Sequence, residues 1–411
     1  MEIRPILSTL RRHKTAAALI VVEIALTCAI ICNALFIVGQ RWEALRETSG
    51  IDEQQLVTVS LSGVGPQTDV DALTQQDLGA LRAIPGVASV ALVNQLPFRR
   101  GSNNSSLATQ PDQKIPTLSA AFYTGAEGTL KTLGLRLAAG RDFAADEYMD
   151  WSELMKQVDG NKGVPLRTMP LIVSHEAANK LFPGESAVGR KVYMANVPML
   201  IVGVVERLRR PNTVNGDTGY SMLIPVRTPY ENGGLYVLRV RDPAQRAQVL
   251  RQAVAALERV ASNRLIMDSK TYDEWRSDYM SKDRDMMGLL LALCALLLLV
   301  TALGIVGLAS FWVAQRTRQI GVRRALGATK SQILRYFQTE NFLLVTLGIV
   351  LGMGLAYALN QLLMRHYELP RLPLWYLPVG ALLLWALGQV AVLWPARRAA
   401  AVPPAIATRS A

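Results

Sequence analysis

Residues 286–314 run MMGLLLALCALLLLVTALGIVGLASFWVA, 29 positions without a charge. As a helix this stretch extends about 43 Å at 1.5 Å per residue, more than the roughly 30 Å hydrocarbon core of a bilayer. It is apolar all round, so in water it would have no polar face to solvate. A membrane span satisfies both facts. Three companions follow from the same criterion: Ala16–Val38, 23 residues long; residues 341–364; and residues 377–394, which open beside Pro378 and are equally uncharged. Basic residues precede the first run, as they do in a signal peptide. A signal h-region, however, is usually only about 7–15 residues, and no small-x-small cleavage site follows. The run reads as an uncleaved anchor.

These runs divide the chain into a segment at 1–15, spans at 16–38, 286–314, 341–364 and 377–394, a large segment at 41–285, connectors at 315–340 and 365–376, and a tail at 395–411. The formal charge of +12 is unevenly spread among them. Residues 41–285 carry 29 Lys+Arg against 28 Asp+Glu, so the large segment is nearly neutral. The excess sits in Met1–Thr15 (Arg4, Arg11, Arg12, Lys14), Gln315–Thr339 (Arg316, Arg318, Arg323, Arg324, Lys330, Arg335) and the tail (Arg397, Arg398, Arg409). Basic residues flanking spans are retained on the cytoplasmic side. One orientation puts all three pieces there, with both termini inside and 41–285 outside. Net basicity is thus a topology signal, with membrane lipids as the partner and no nucleic acid implied. Cys28, Cys32 and Cys294 all fall inside spans, which leaves no disulfide framework to read outside. Cys28 and Cys32 read as lipid-buried small residues.

The large segment alternates strand and helix signals. Leu56–Leu61, Val87–Val93, Leu171–Ser174, Leu235–Val240 and Arg264–Met267 read as strands. Val192–Met194 and Met199–Val205 read as a hairpin, with Asn196 and Pro198 near its turn. Thr74 is a candidate cap for a helix to Ala83, stopped by Pro85-Gly86; a short helix ends near Phe182 before Pro183-Gly184; and Asp242-Pro243 opens another to Ala261. The expected fold is membrane α-helical, four transmembrane helices arranged one plus three, with a large extracytoplasmic α+β domain of two lobes over 41–270. Arg99–Pro116 and Asp146–Pro170 are polar insertions expected as loops. From Arg264 to Pro370 the chain has no proline. A helix from Tyr272 to Ala314 would be roughly 60 Å long, so residues 271–285 would form a stalk continuous with the second span.

Between the second and third spans, Gly327 is placed to end one helix in the left-handed conformation, and Thr329 with Gln332 forms a capping box that starts the next. Ile320, Leu326, Ile333 and Phe337 are available for burial, and one side is basic. This stretch resembles the connector of MacB/FtsX-type permeases of ABC transporters, usually Arg-x-x-Glu-Ile-Gly-x-x-x-Ala-x-Gly-Ala. Arg316, Ile320, Gly321, Ala325, Gly327 and Ala328 match in register, and Gln319 stands at the usual glutamate. Leu133-Gly134 with Ala139-Gly-Arg-Asp-Phe143, Leu181-Phe-Pro-Gly-Glu185 with Val188-Gly-Arg-Lys-Val192, and Pro395-Ala-Arg-Arg-Ala-Ala400 with Pro404-Ala405 resemble further signatures of that family.

The resemblance implies an inner-membrane permease subunit that couples ATP hydrolysis by a separate cytosolic ABC ATPase to motion of its periplasmic domain. The connector residues Arg316, Arg318, Gln319, Ile320, Gly321, Arg323, Arg324, Gly327, Ala328 and Lys330 would dock that ATPase. A second permease chain is implied, and a periplasmic adaptor is a further candidate partner. The implied outcome is efflux of a drug, peptide or lipid-like substrate. Control of a periplasmic partner such as a cell-wall hydrolase, or lipoprotein release, is the alternative. If the glutamate at position 319 pairs with the ATPase, Gln319 alters that coupling, as in one half of a heterodimer. No phosphate-cradling loop, metal pair or nucleophile elbow is legible, so neither catalysis nor a cofactor is expected of this chain. Glu23 is an ionisable group well inside a span, by default a functional or packing feature. Gly348 and Gly352 have Gly-x-x-x-Gly spacing, which permits close helix contact.

Overall fold

A computed structural model describes residues 14–65, 69–99, 101–159, 168–194, 197–212, 217–232, 234–367 and 371–402. Expectations at Arg4, Arg11, Arg12, Asn196, Pro404, Ala405 and Arg409 lie outside the described residues. The chain splits into two compact units, Glu47–Ser281 and the helices on either side of it.

In chain order the elements are α1 (Lys14–Arg46), β1 (Leu56–Gly63), α2 (Val70–Arg82), β2 (Val87–Val93), β3 (Asn104–Leu107), β4 (Leu118–Thr124), α3 (Thr129–Leu133), β5 (Leu137–Gly140), β6 (Met149–Asp150), α4 (Trp151–Asp159) and β7 (Met169–Ser174). They continue with α5 (His175–Leu181), β8 (Lys191–Met194), β9 (Val197–Val205), β10 (Ser221–Ile224), β11 (Val226–Arg227), β12 (Leu235–Val240), α6 (Arg246–Val260), β13 (Arg264–Thr271), α7 (Tyr272–Gln315), α8 (Thr317–Ala325), α9 (Lys330–Tyr367) and α10 (Tyr376–Ala400). Four of these, α1, α7, α9 and α10, are long and apolar enough to cross a membrane.

In the helical unit, α9 lies against α1 at the paired glycines. A Cβ at Gly348 would fall 2.7 Å from Ile24 Cγ2, and one at Gly352 would fall 2.5 Å from Cys28 Cβ. Bare backbone there lets dispersion contacts accumulate where no apolar driving force exists between helices in lipid. A Cβ at Gly380 of α10 would fall 2.5 Å from Cys32 Sγ. Cys28 and Cys32 are therefore fully enclosed between helices, not turned to lipid as their position in a span suggested. Their small volume is what the close approach requires. Asn33 donates to the Ala356 carbonyl at 3.2 Å, and Asn341 to that of Gly388 at 2.8 Å, so buried amides tie α1 to α9 and α9 to α10. Helix α7 is held differently. Only 17% of its apolar window is buried, against 67% for α1. Its polar ties among the described residues include Thr301 to Thr27 at 3.0 Å, Asp283 to Arg41 at 2.9 Å and, just past its end, Arg316 to Glu340 at 2.9 Å.

The Glu47–Ser281 unit has two cores. The first lobe is a four-stranded sheet ordered β13-β1-β12-β2, antiparallel throughout. Leu78, Leu81, Val249, Ala253 and Leu257 of α2 and α6 cover it. Inside this core Asp77 and Arg264 form a fully buried pair, and Tyr236 donates to Asp77 at 2.6 Å. Burial first, and the Asp77 charge second, push the Tyr236 phenol well above its ordinary pKa, so it stays a donor. The second lobe is a mixed sheet ordered β3-β4-β10-β7-β9-β5, with β8 also paired to β9. Its core includes Leu171, Val173, Ile201, Met222 and Ile224.

Several local expectations change. Thr74 lies inside α2, buried, with its hydroxyl returned to the Val70 carbonyl at 2.7 Å, because the apolar face that packs begins a turn earlier. The polar insertions contain β3, β6 and α4: Asn104–Leu107 pairs with β4, a tertiary partner that low local hydrophobicity does not reveal.

Where the chain enters and leaves this unit, charges converge on one ring. The Arg209 and Arg276 guanidiniums lie 4.5 and 4.6 Å from the centroid of Phe98. Arg209 Nε donates to Glu47 at 2.9 Å, and Arg276 donates to Glu53 at 2.7 Å and to the Glu47 carbonyl at 2.7 Å. Each cation has its own carboxylate, which is what permits two to share an aromatic face.

Replacing Gly352 with Leu forces α9 off α1, an overpacking cost of about 1–3 kcal/mol. A lowered melting temperature of the detergent-solubilised chain is the expected result; an unchanged one would show that the close approach contributes nothing.

Candidate coupling connector

The connector is built by two chain reversals. Helix α7 ends at Gln315, where the hydroxyl of Thr317 caps the Val313 and Ala314 carbonyls at 3.0 Å each. Helix α8 then runs to Ala325 and is closed by Gly327 at φ +98°, with the Ala328 N–H donating to Arg323 O at 3.0 Å. Only glycine takes that backbone conformation without strain. Thr329 and Gln332 make the reciprocal cap that opens α9: Thr329 N–H to Gln332 Oε1 at 2.9 Å, Gln332 N–H to Thr329 Oγ1 at 3.3 Å.

The resulting wedge buries Ile320, Ile333 and Phe337 against Val313 of α7 and Ala396, Ala399 and Ala400 of α10. Helix α10 continues past Pro395 to supply those alanines. Leu326, expected among the buried set, is 83% exposed. It stands just past the end of α8, and six residues at 100° each place it about 120° around the helix axis from Ile320.

The predicted cations separate into two groups. Arg316 turns inward: its guanidinium donates to both Glu340 carboxylate oxygens, at 3.1 and 2.9 Å, and lies over the Trp312 ring. Glu340 is almost wholly buried, so this pair bolts the end of α7 to α9. Arg324 also turns inward, donating to the Ala400 and Val402 carbonyls at 3.0 and 2.9 Å, where it fastens the end of α10. Arg318, Gln319, Arg323 and Lys330 are exposed. Arg323 stands over the Tyr336 ring at 5.3 Å. Gln319, Arg323, Gln332, Tyr336, Ile320 and Ile333 line much of a cavity of about 150 Å³. Ala328 also lines it, and Gly321 is buried under α8. An apolar socket with a cationic and amide lip can seat an apolar side chain of another protein while its rim engages carboxylates.

Glu23 of α1 is not among the residues that line this socket. Its carboxyl group lies against Gly304 of α7, where an added Cβ would be 2.8 Å from Oε2. Its Oε1 is buried without a hydrogen-bond partner among the described residues. Neither Glu340 nor Trp312 stood out in the sequence. Glu340 borders an apolar run, and no local spacing relates it to Arg316.

The family model of the MacB-like periplasmic core domain matches residues 24–256, more than half of the chain, and that of the FtsX-like permease C-terminal matches residues 291–404. The chain belongs to the MacB-like permease family. It is 23% identical over 414 residues to the pyoverdine export ATP-binding/permease protein PvdT of Pseudomonas aeruginosa, covering 98% of this chain and 57% of that protein. It is 28% identical over 366 residues to the macrolide export ATP-binding/permease protein MacB of Rhodospirillum rubrum, covering 86% and 51%. The chain thus spans about half the length of these curated relatives. The crystal structure of the periplasmic region of MacB from Actinobacillus actinomycetemcomitans aligns over 57% of this chain and 97% of that one, at 16% identity and a TM-score of 0.34. As a MacB-like permease the protein carries four membrane helices and a periplasmic-type α+β domain.

Within this MacB-like connector, Arg316→Met strands Glu340 as a buried unpaired charge, at a cost of about 3–5 kcal/mol. The double variant Arg316→Met/Glu340→Leu is expected to recover most of that loss in thermal melts of the solubilised chain. Equal stability of the single variant and the parent would show that the pair does not bolt α7 to α9.

Proposed function

We propose that this chain is the membrane subunit of an ABC-type export complex, with a cytosolic ATPase docking on the connector and moving the periplasmic domain through α7. The observation that carries this reading is the socket lined by Gln319 and Arg323, on a connector whose Arg318 and Lys330 are also exposed. It is formed where α7 ends and α9 begins, so force applied at the socket acts on the root of a 44-residue helix. An uninterrupted helix transmits a rigid-body displacement along its axis.

Sidedness follows from the same residues. The cations of the connector and of the last turn of α10, Arg397 and Arg398, fall on one side of the spans by the positive-inside rule, with both termini there and residues 41–270 in the periplasm. A second permease chain completes the complex, opposite a dimeric ATPase, and an adaptor contacts the external domain. Relatives named for macrolide and pyoverdine export favour a drug, peptide or lipid-like cargo. Gln319 in place of the usual glutamate removes a charge from the lip, so Gln319→Glu would alter how strongly ATPase activity follows the permease.

Arg318→Glu/Arg323→Glu/Lys330→Glu reverses the exposed cations of the connector without touching the inward Arg316 and Arg324. It is expected to abolish copurification of an ATP-hydrolysing protein from native membranes while leaving the solubilised chain folded. Undiminished copurification would remove the connector from the docking role.

A further inference from the structure

A hydroxyl-to-hydroxyl contact between α1 and α7 joins Thr27 and Thr301, both almost fully buried, at 3.0 Å. Four residues back on the same face of α1 stands Glu23, with one carboxyl oxygen buried and without a partner among the described residues. The α7 residue beneath that carboxyl is Gly304, one turn along from Thr301, where any added side chain would meet Oε1 and Oε2 at 3.0 and 2.8 Å. Two acceptors for the same hydroxyl are thus spaced one helical turn apart, and one is empty.

We propose that Glu23 is a positioning residue that gives α7 a second register, one turn along α1, in which the Thr301 hydroxyl donates to the Glu23 carboxyl group. Three features allow the travel, about 5.4 Å along the axis. Helix α7 is the least enclosed of the four, with 17% of its apolar window buried, so sliding breaks few packed contacts. Thr27, left behind, can return its hydroxyl to the carbonyl four residues earlier, an option a threonine in a helix always has. The Glu23 oxygen has no such local alternative, and satisfying it in hydrocarbon is favourable. The Arg316–Glu340 pair opposes the shift, which makes the observed register the major one. One-turn displacement of packed helices is an established mode of switching.

The driving force for such travel rests on the coupling role proposed above, but the register itself is measurable without any ATPase. In the full chain with Cys28, Cys32 and Cys294 replaced by alanine, and with Glu23, Thr27 and Thr301 left in place, paired cysteines are introduced as Arg41→Cys/Asp283→Cys, Ile37→Cys/Asp283→Cys and, two turns away, Ala34→Cys/Asp283→Cys, and oxidised in membranes. The first pair reports the observed register and serves as the folding control. A minor state populated at roughly 1–10% accumulates as disulfide, so the second pair is expected to cross-link well above the third. Cross-linking of the second pair no greater than that of the third overturns the proposal.

A second readout leaves Thr27 and Thr301 in place and varies Glu23 itself. Phe311→Cys, on the exposed face of α7 near its end, becomes more reactive to a polar maleimide in permeabilised membranes when α7 moves toward the connector. Reactivity is expected to persist with Glu23→Gln, which keeps an acceptor, and to fall several-fold with Glu23→Leu. Equal labelling of the two overturns the role of Glu23. Loss of ATPase copurification alone leaves both readouts unaffected, so the two readings fail separately.

Discussion

Everything in the helical unit is organised by how closely α9 can approach α1. At Gly348 and Gly352 the bare α9 backbone meets Ile24 and Cys28 of α1, and hydrogen bonds from Asn33 and Asn341 fasten the helices that this contact aligns. Without a hydrophobic driving force inside a bilayer, such packing and the few buried polar bonds are what hold helices together. Helices α1, α9 and α10 share them. Helix α7 does not; its polar ties among the described residues include those through Thr301, Asp283 and, at its end, Arg316. The unit is a fixed block with one loosely held member, and that member is the one continuous with the external domain.

At the connector the same division of labour recurs between neighbouring arginines. Arg316 and Arg324 spend their charge internally, on a buried carboxylate and on helix-end carbonyls. Arg318 and Arg323, one or two residues away from them, face outward. A helix turns 100° per residue, so adjacent cations necessarily serve different masters. The wedge made by Ile320, Ile333 and Phe337 fixes which side is which.

Much of this was legible because it is local. The helix through Met286–Ala314, the strand Val87–Val93, the Thr329–Gln332 cap and the Gly327 reversal depend on residues within a turn or two of one another, and each formed where its chemistry placed it. The Gly-x-x-x-Gly spacing was also visible, although it could not say which helix would fill it. What stayed hidden is long-range. Glu340 borders an apolar run and became an ion partner only through the reversal at Gly327. Leu326 looked buriable from composition, yet at the end of α8 it faces outward. Strand β3 and helix α4 sit in polar sequence whose structure comes from a sheet neighbour or a lobe surface rather than from its own pattern. The convergence of Glu47, Glu53, Arg209 and Arg276 on Phe98 unites positions spread over more than half of the chain.

That convergence has an architectural corollary. Arg276 holds the Glu47 carbonyl, so the chain leaves the Glu47–Ser281 unit beside the point at which it entered. On the helical side, Arg41 reaches Asp283, so the same two strands of chain are also pinned together there. A unit whose ends are stapled on both sides of its boundary is an insertion in the topological sense, like a loop grown from a helical hairpin. Its contents can be enlarged, exchanged or rebuilt over evolutionary time without altering the geometry at which the hairpin opens, and none of its residues is a cysteine, so its folding needs no oxidant.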